Sequence, residues 1–177
     1  MTDMADRNLI LYAAGYADQD SATEDYEALK ELKDLQAYIV AAVIMDRDEN
    51  GKITVREKAH IVSGGAVAGG GVGLVVGLFA PPLLAATAVG AGIGAAIGGL
   101  VKKHQEKEMA KELDDVMPNN SSAIIAVLDD AYADQVDKAL TKAGKKLVKE
   151  VDSADAAELE KALQGGDDTE LVKQLNS

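Results

Sequence analysis

The chain has 177 residues, 47% of them hydrophobic and 27% charged, enough for one ordinary domain plus an appendage and unlike disordered or collagenous sequence. Its 30 acidic against 18 basic residues give a net charge of -12, which repels phosphate backbones, so nucleic acid is not an expected partner. The absence of cysteine removes disulfides, thiolate metal sites and cysteine nucleophiles and fits a reducing cytoplasm; no cofactor is expected.

The opening MTDMADRN carries acids and no apolar run, so no cleavable secretory signal is expected. From Leu9, LILYAAGY reads as an apolar strand. Ser21 and Glu24 form a capping box, ahead of a helix that puts Ala22, Tyr26, Leu29 and Leu32 on one face. AYIVAAVIM, residues 37–45, is the next strand candidate.

The stretch DRDENGKITVRE then admits two readings. Letter for letter it satisfies a calcium-loop pattern, with side-chain ligands Asp46, Asp48, Asn50 and Glu57, the Lys52 carbonyl among them and Gly51 at the sharp turn. It also reads as a β-hairpin: Ile53 and Val55 alternate with Lys52, Thr54 and Arg56, and Asn50-Gly51 supplies the tight turn. A calcium loop needs flanking amphipathic helices and normally a second loop. Residues 38–45 have no polar face, so the hairpin is the expected structure and calcium binding the alternative.

Residues 61–101 contain no ionisable side chain. Pro81 and Pro82 divide this run into arms 61–80 and 83–101, because proline breaks a helix. As helices rising about 1.5 Å per residue, either arm would reach roughly 30 Å, the thickness of a bilayer's hydrocarbon core. Gly65, Gly69, Gly73 and Gly77 recur every fourth residue, as do Gly90, Gly94 and Gly98, giving each arm a smooth stripe for close backbone approach. The expectation is a glycine-zipper helical hairpin that enters a lipid bilayer, and the alternative is a Gly/Ala-rich pair buried within a soluble fold or oligomer. Arg56 and Lys58 before the run, with Lys102 and Lys103 after it, would keep both feet in the cytoplasm. His60 and His104 sit beside these lysines as expected solvated flanks; a two-histidine metal site completed by Glu57 or Glu106 has no established ligand spacing behind it.

KKHQEKEMAKELDDVMP, residues 102–118, sets Met109, Leu113 and Val116 on one side of a helix that should pack on the sheet. A repeat follows. AIIAVLDDAYADQ, ending at Gln135, aligns with LILYAAGYADQ, and Tyr132 to Gln135 repeat Tyr16 to Gln19. Val136, Ala139 and Leu140 mark a helix before Gly144, and KKLVKEV, residues 145–151, alternates as a half-exposed strand should. Acidic pairs Asp114-Asp115 and Asp129-Asp130 read as solvated turns and helix ends. Two β-α-β units predict an α+β, ferredoxin-like duplicated sheet with the inserted hairpin and a C-terminal helical tail. The expected division is one discontinuous domain, 8–60 with 102–152, then hairpin 61–101 and tail 153–177.

The strand LILYAAGY, the hairpin VIMDRDENGKITV, the glycine run and the strand SSAIIAVL after a Pro-Asn turn resemble a family of small uncharacterised bacterial membrane proteins, over roughly residues 8 to 152. The resemblance implies architecture and membrane association and brings no catalytic signature. The expected function is therefore a non-enzymatic, membrane-associated structural or interaction protein, anchored and oligomerised through the hairpin, its soluble domain facing the cytoplasm. The alternatives are a soluble homo-oligomer built through the glycine-rich helices and a single-loop calcium-responsive protein. The bilayer and a second copy of the chain are the expected partners, and nothing in the sequence specifies a small-molecule ligand.

Overall fold

The computed structural model describes residues 8–36, 38–56, 111–112 and 114–151. They form a five-stranded sheet in the order β3-β2-β4-β1-β5, every neighbouring pair antiparallel. The strands are β1 (Leu9–Tyr16), β2 (Ile39–Arg47), β3 (Ile53–Val55), β4 (Ser121–Asp129) and β5 (Lys145–Glu150). Helix α1 (Gln19–Glu31) and the single turn α2 (Lys33–Gln36) lie between β1 and β2; a 3-10 turn (Asp130–Tyr132) and helix α3 (Ala133–Ala139) lie between β4 and β5. β1 and β4 are near-continuous apolar runs because both are inner strands buried on both faces.

Side-chain alternation divides the core in two. On one face Ile10, Tyr12, Ala14 and Tyr16 of β1 join Ile39, Ala42 and Ile44 of β2 and Ile124, Ala126 and Leu128 of β4 beneath Ala22, Tyr26 and Leu29 of α1, Val136 of α3 and Leu140 at its C-terminal cap. The irregularity between Ile39 and Ala41 in β2 keeps Ile39 on the same face as Ala42 and Ile44, which simple alternation would not. The opposite face carries Leu9, Leu11, Ala13, Val43, Met45, Ala123, Ile125 and Val127, all buried. Fully burying one Leu, Ile or Val contributes about 1.5–3 kcal/mol, so either face alone outweighs any polar contact described below.

Polar bonds fix how the helices sit. The cap of α1 is Asp18 and not Ser21: the Asp18 carboxylate accepts from the Ser21 N–H (2.7 Å) and hydroxyl (2.9 Å). These bonds, the backbone one first, hold the Asp18 carboxyl below the usual range. Leu32, expected on the buried face, terminates the helix and is exposed. The expected face also omitted Asp25, which is buried and accepts from the Tyr16 hydroxyl (3.1 Å) and the Lys142 N–H (2.8 Å), tying α1 to the loop after α3. Tyr12 donates to Asp137 of α3 (2.6 Å).

Two expectations are corrected. The described residues do not form the expected duplicated ferredoxin-like α+β sheet but one antiparallel sheet with few, short helices; the glycine-zipper hairpin and helical tail expected with it fall outside them. The would-be repeats differ, 13 residues of α1 against seven of α3. The second repeat begins with a 3-10 turn because Asp129 accepts from the Ala131 N–H (3.1 Å), and β3 adds a strand outside either repeat. The second correction concerns the membrane-entering helical hairpin. Among the described residues no helix is long and apolar enough to cross a membrane; α1, at 13 residues, extends only about 20 Å at 1.5 Å per residue. The run 61–101 and the tail 153–177 lie outside the described residues.

Candidate functional site

At one end of the sheet the chain leaves β3 and, far later in sequence, returns to enter β4, and two arginines of the β2–β3 hairpin hold these two points. The hairpin is built from its turn outward. Asp48 accepts through one carboxylate oxygen from the backbone N–H groups of Asn50 and Lys52 (both 2.8 Å), its N–H donates to the Lys52 carbonyl (2.9 Å), and Gly51 takes φ of +80°, which an L side chain adopts only with strain. Thr54 then stands opposite Asp46 and Ile53 opposite Arg47.

Arg56, the residue after β3, turns back onto β2. Its Nε donates to Asp46 Oδ2 (2.7 Å) and its Nη2 to Asp46 Oδ1 (2.6 Å), a bidentate pair with side chains 27% and 18% exposed. The Ser122 hydroxyl donates to the same Asp46 oxygen (2.6 Å), which adds β4 to the cluster. The remaining arm of Arg56, Nη1, donates to the Thr23 hydroxyl (2.5 Å) and the Gln19 carbonyl (3.2 Å) of α1. One guanidinium thus joins the edge hairpin, the central strand and the first turns of α1.

Arg47, at the end of β2, performs the matching task for the returning chain. Residues 111–112 and 114–116 are helical. Arg47 Nη1 donates to Asp114 (2.6 Å) and to the Met117 carbonyl (2.9 Å). Glu112 forms an ion pair with Lys149 of β5. Between those anchors Val116 lies directly on Gly15 of β1, where an added Cβ would stand 1.9 Å from the Val116 carbonyl oxygen. The segment therefore crosses the second face of the sheet from β5 to β2, at a point where only glycine permits contact. The turn into β4 is closed by Asn119, whose amide donates to the Glu49 carbonyl (3.0 Å), and by Asn120, which adopts φ of 60°.

The candidate calcium ligands can now be placed. Asp46 lies within β2 with its carboxylate bound to Arg56 and Ser122, Asp48 is occupied by the turn's own N–H groups, Asn50 and Lys52 belong to the turn, and Glu57 lies outside the described residues. Among the described residues no group of three or more His, Cys, Asp or Glu side chains could hold a metal ion. The positions Gly65, Gly69, Gly73, Gly77, Pro81, Pro82, Gly90, Gly94 and Gly98 lie outside the described residues, as do His60, His104, Lys58, Lys102 and Lys103. Sequence reasoning missed Gly15, Ser122, Thr23 and the Arg47–Asp114 pair, since no local pattern links positions so far apart. Arg56 was read as an outward residue of the hairpin and as a basic foot of the run 61–101; that Thr54, two residues before it, stands opposite Asp46 in the hairpin was the available signal.

Chemically, this end of the sheet is a closed structural clasp: both carboxylates are paired, the cationic groups face them, and Ser122 and Thr23 spend their hydroxyls inside it. A second polar group lies on the helix layer, where the Tyr12 hydroxyl and then Lys146 hold the Asp137 carboxyl below the usual range. Burial, with Asp137 beside it, pushes the Tyr12 phenol well above its ordinary value.

Neither a curated protein nor a solved structure matches the chain. A family profile does match, over residues 66–164, from within the glycine-rich run to beyond β5. That is more than half of the sequence, and the chain belongs to this family, DUF1269, described as proteins of unknown function.

Proposed function

We propose that the protein is a non-enzymatic structural and interaction module that self-associates through its glycine-rich run, with the sheet as the platform that fixes both ends of the intervening chain. The observation that carries this reading is the paired clasp: the chain departs at Arg56 and comes back across Gly15 at the same end of the sheet, and each point is locked by an arginine on the β2–β3 hairpin. Rows of glycine at every fourth position, without an ionisable side chain from 61 to 101, favour close contact between like segments. The polar side chains of the clasp hold one another, which suits a scaffold better than a reaction centre. Formation of the sheet without a single cysteine supports placing it in the cytoplasm.

The test is light scattering on the untagged full chain beside a Gly69→Ile, Gly73→Ile variant. The proposal expects a wild-type particle several times the 18.4 kDa chain mass and a clear reduction in the variant, with the circular dichroism of the sheet retained. A wild-type particle of single-chain mass would overturn it.

A further inference from the structure

We infer that Tyr38 and Tyr132 form a site for oxidative cross-linking, a dityrosine bond within one chain, made by a one-electron oxidant of the peroxidase-plus-peroxide class. The two rings stack with centroids 3.7 Å apart and planes 16° from parallel. Both are half-buried, so each keeps an edge open to an oxidant. The other three of the chain's five tyrosines are sealed in the core: Tyr12, Tyr16 and Tyr26 are only 1%, 2% and 3% exposed. The chain has neither tryptophan nor cysteine to draw the oxidising equivalents away.

Backbone contacts hold the pair in place. Tyr38 stands immediately before β2 and its carbonyl accepts from the Asp129 N–H (3.2 Å). The Asp129 carboxylate caps the 3-10 turn that ends at Tyr132. The sheet has thus already brought the two phenols together, and the bimolecular encounter that normally limits radical coupling becomes an intramolecular one. The Tyr38 hydroxyl beside it raises the Tyr132 pKa above the ordinary phenol value.

The chemistry balances without a resident cofactor. Each phenol loses one electron and one proton to become a phenoxyl radical. The radicals couple through ring carbons ortho to the oxygens, forming one C–C bond, and the two displaced ring hydrogens pass to the oxygens to restore both phenols. The chain loses two electrons and two protons in all, and one molecule of hydrogen peroxide takes them up as two molecules of water. The new bond would tie the start of β2 to the turn after β4, across the irregular part of the β2–β4 ladder.

The experiment exposes the dilute full chain to a haem peroxidase with hydrogen peroxide and follows dityrosine fluorescence, intact mass and the cross-linked tryptic peptides. Expected are a single-chain product lighter by two hydrogens, a peptide pair joining Tyr38 to Tyr132, and an about tenfold loss of the signal in Tyr38→Phe and in Tyr132→Phe, reflecting lost proximity. Tyr26→Phe should leave the yield unchanged. Dityrosine confined to covalent dimers, or an undiminished single-chain yield in either of the first two variants, would overturn the assignment.

Discussion

Replacing Asp46 with Ala distinguishes a clasp from a calcium site in one set of measurements. The substitution removes two hydrogen bonds from Arg56 and one from Ser122 and leaves a guanidinium without its carboxylate. Removing one partner of a fully buried pair costs about 3–5 kcal/mol, and exposed pairs contribute about 0.2–1 kcal/mol. With the two side chains 27% and 18% exposed, the expectation lies between these limits, at about 2 kcal/mol. For a chain of this length that is a fall in Tm of about 4–8 °C. The assay is urea unfolding at pH 7 of Asp46→Ala, Arg56→Ala and the double variant, with and without millimolar calcium. The clasp predicts a coupling of about 1.5 kcal/mol between the two positions, close to the single-variant cost, and no shift with calcium. Additive losses, or a calcium-dependent rise in wild-type stability absent from Asp46→Ala, would refute the reasoning.

Further outcomes follow from single residues. Gly15→Ala places a methyl group 1.9 Å from a backbone oxygen that cannot rotate aside, so the crossing segment must lift; chemical denaturation should show a loss of about 3 kcal/mol, the upper end for overpacking. Tyr26→Phe deletes a buried hydroxyl that has no hydrogen-bond partner among the described residues and should be neutral or stabilising by up to about 1 kcal/mol in the same assay. Asp137 has a folded pKa below its unfolded one, so its contribution is present above the ordinary carboxylate range and is lost as pH falls through the folded value. The Tm gap between wild type and Asp137→Asn should therefore be open at pH 7 and close in acid. Tyr12 and Tyr16 have folded values raised, chiefly by burial, above their ordinary 10.0. Their contribution is complete below that pH and declines above it, so Tyr12→Phe should lessen alkaline unfolding.

What the sequence disclosed was local. LILYAAGY, AYIVAAVIM and SSAIIAVL carry the apolar signature of a buried strand and KKLVKEV the alternation of a half-exposed one, and β1, β2, β4 and β5 form there. The Asp48-to-Gly51 turn was legible because its chemistry is contained in the five residues Asp48 to Lys52. Burial of Val136 and Leu140 followed from helical spacing. The cap was misplaced by three residues because Ser21 and Glu24 satisfy a known pattern, while Asp18, with a full carboxylate, bonds both donors of Ser21. The two repeats were matched on their common strand, helix, strand order together with four shared letters, yet Asp129 has no counterpart before the first helix, and its cap to Ala131 turns the second start into a 3-10 turn. Nothing around Arg47 points to Asp114, and nothing around Gly15 points to Val116. Those contacts exist only once strand order brings β2, β4 and β1 side by side.

The most direct test of the proposed self-association is sedimentation velocity of the native, untagged chain at several concentrations, beside the Gly69→Ile, Gly73→Ile variant. The account predicts a discrete wild-type species well above 18.4 kDa that shifts to lower mass in the variant. A wild-type chain that sediments at single-chain mass throughout would contradict it.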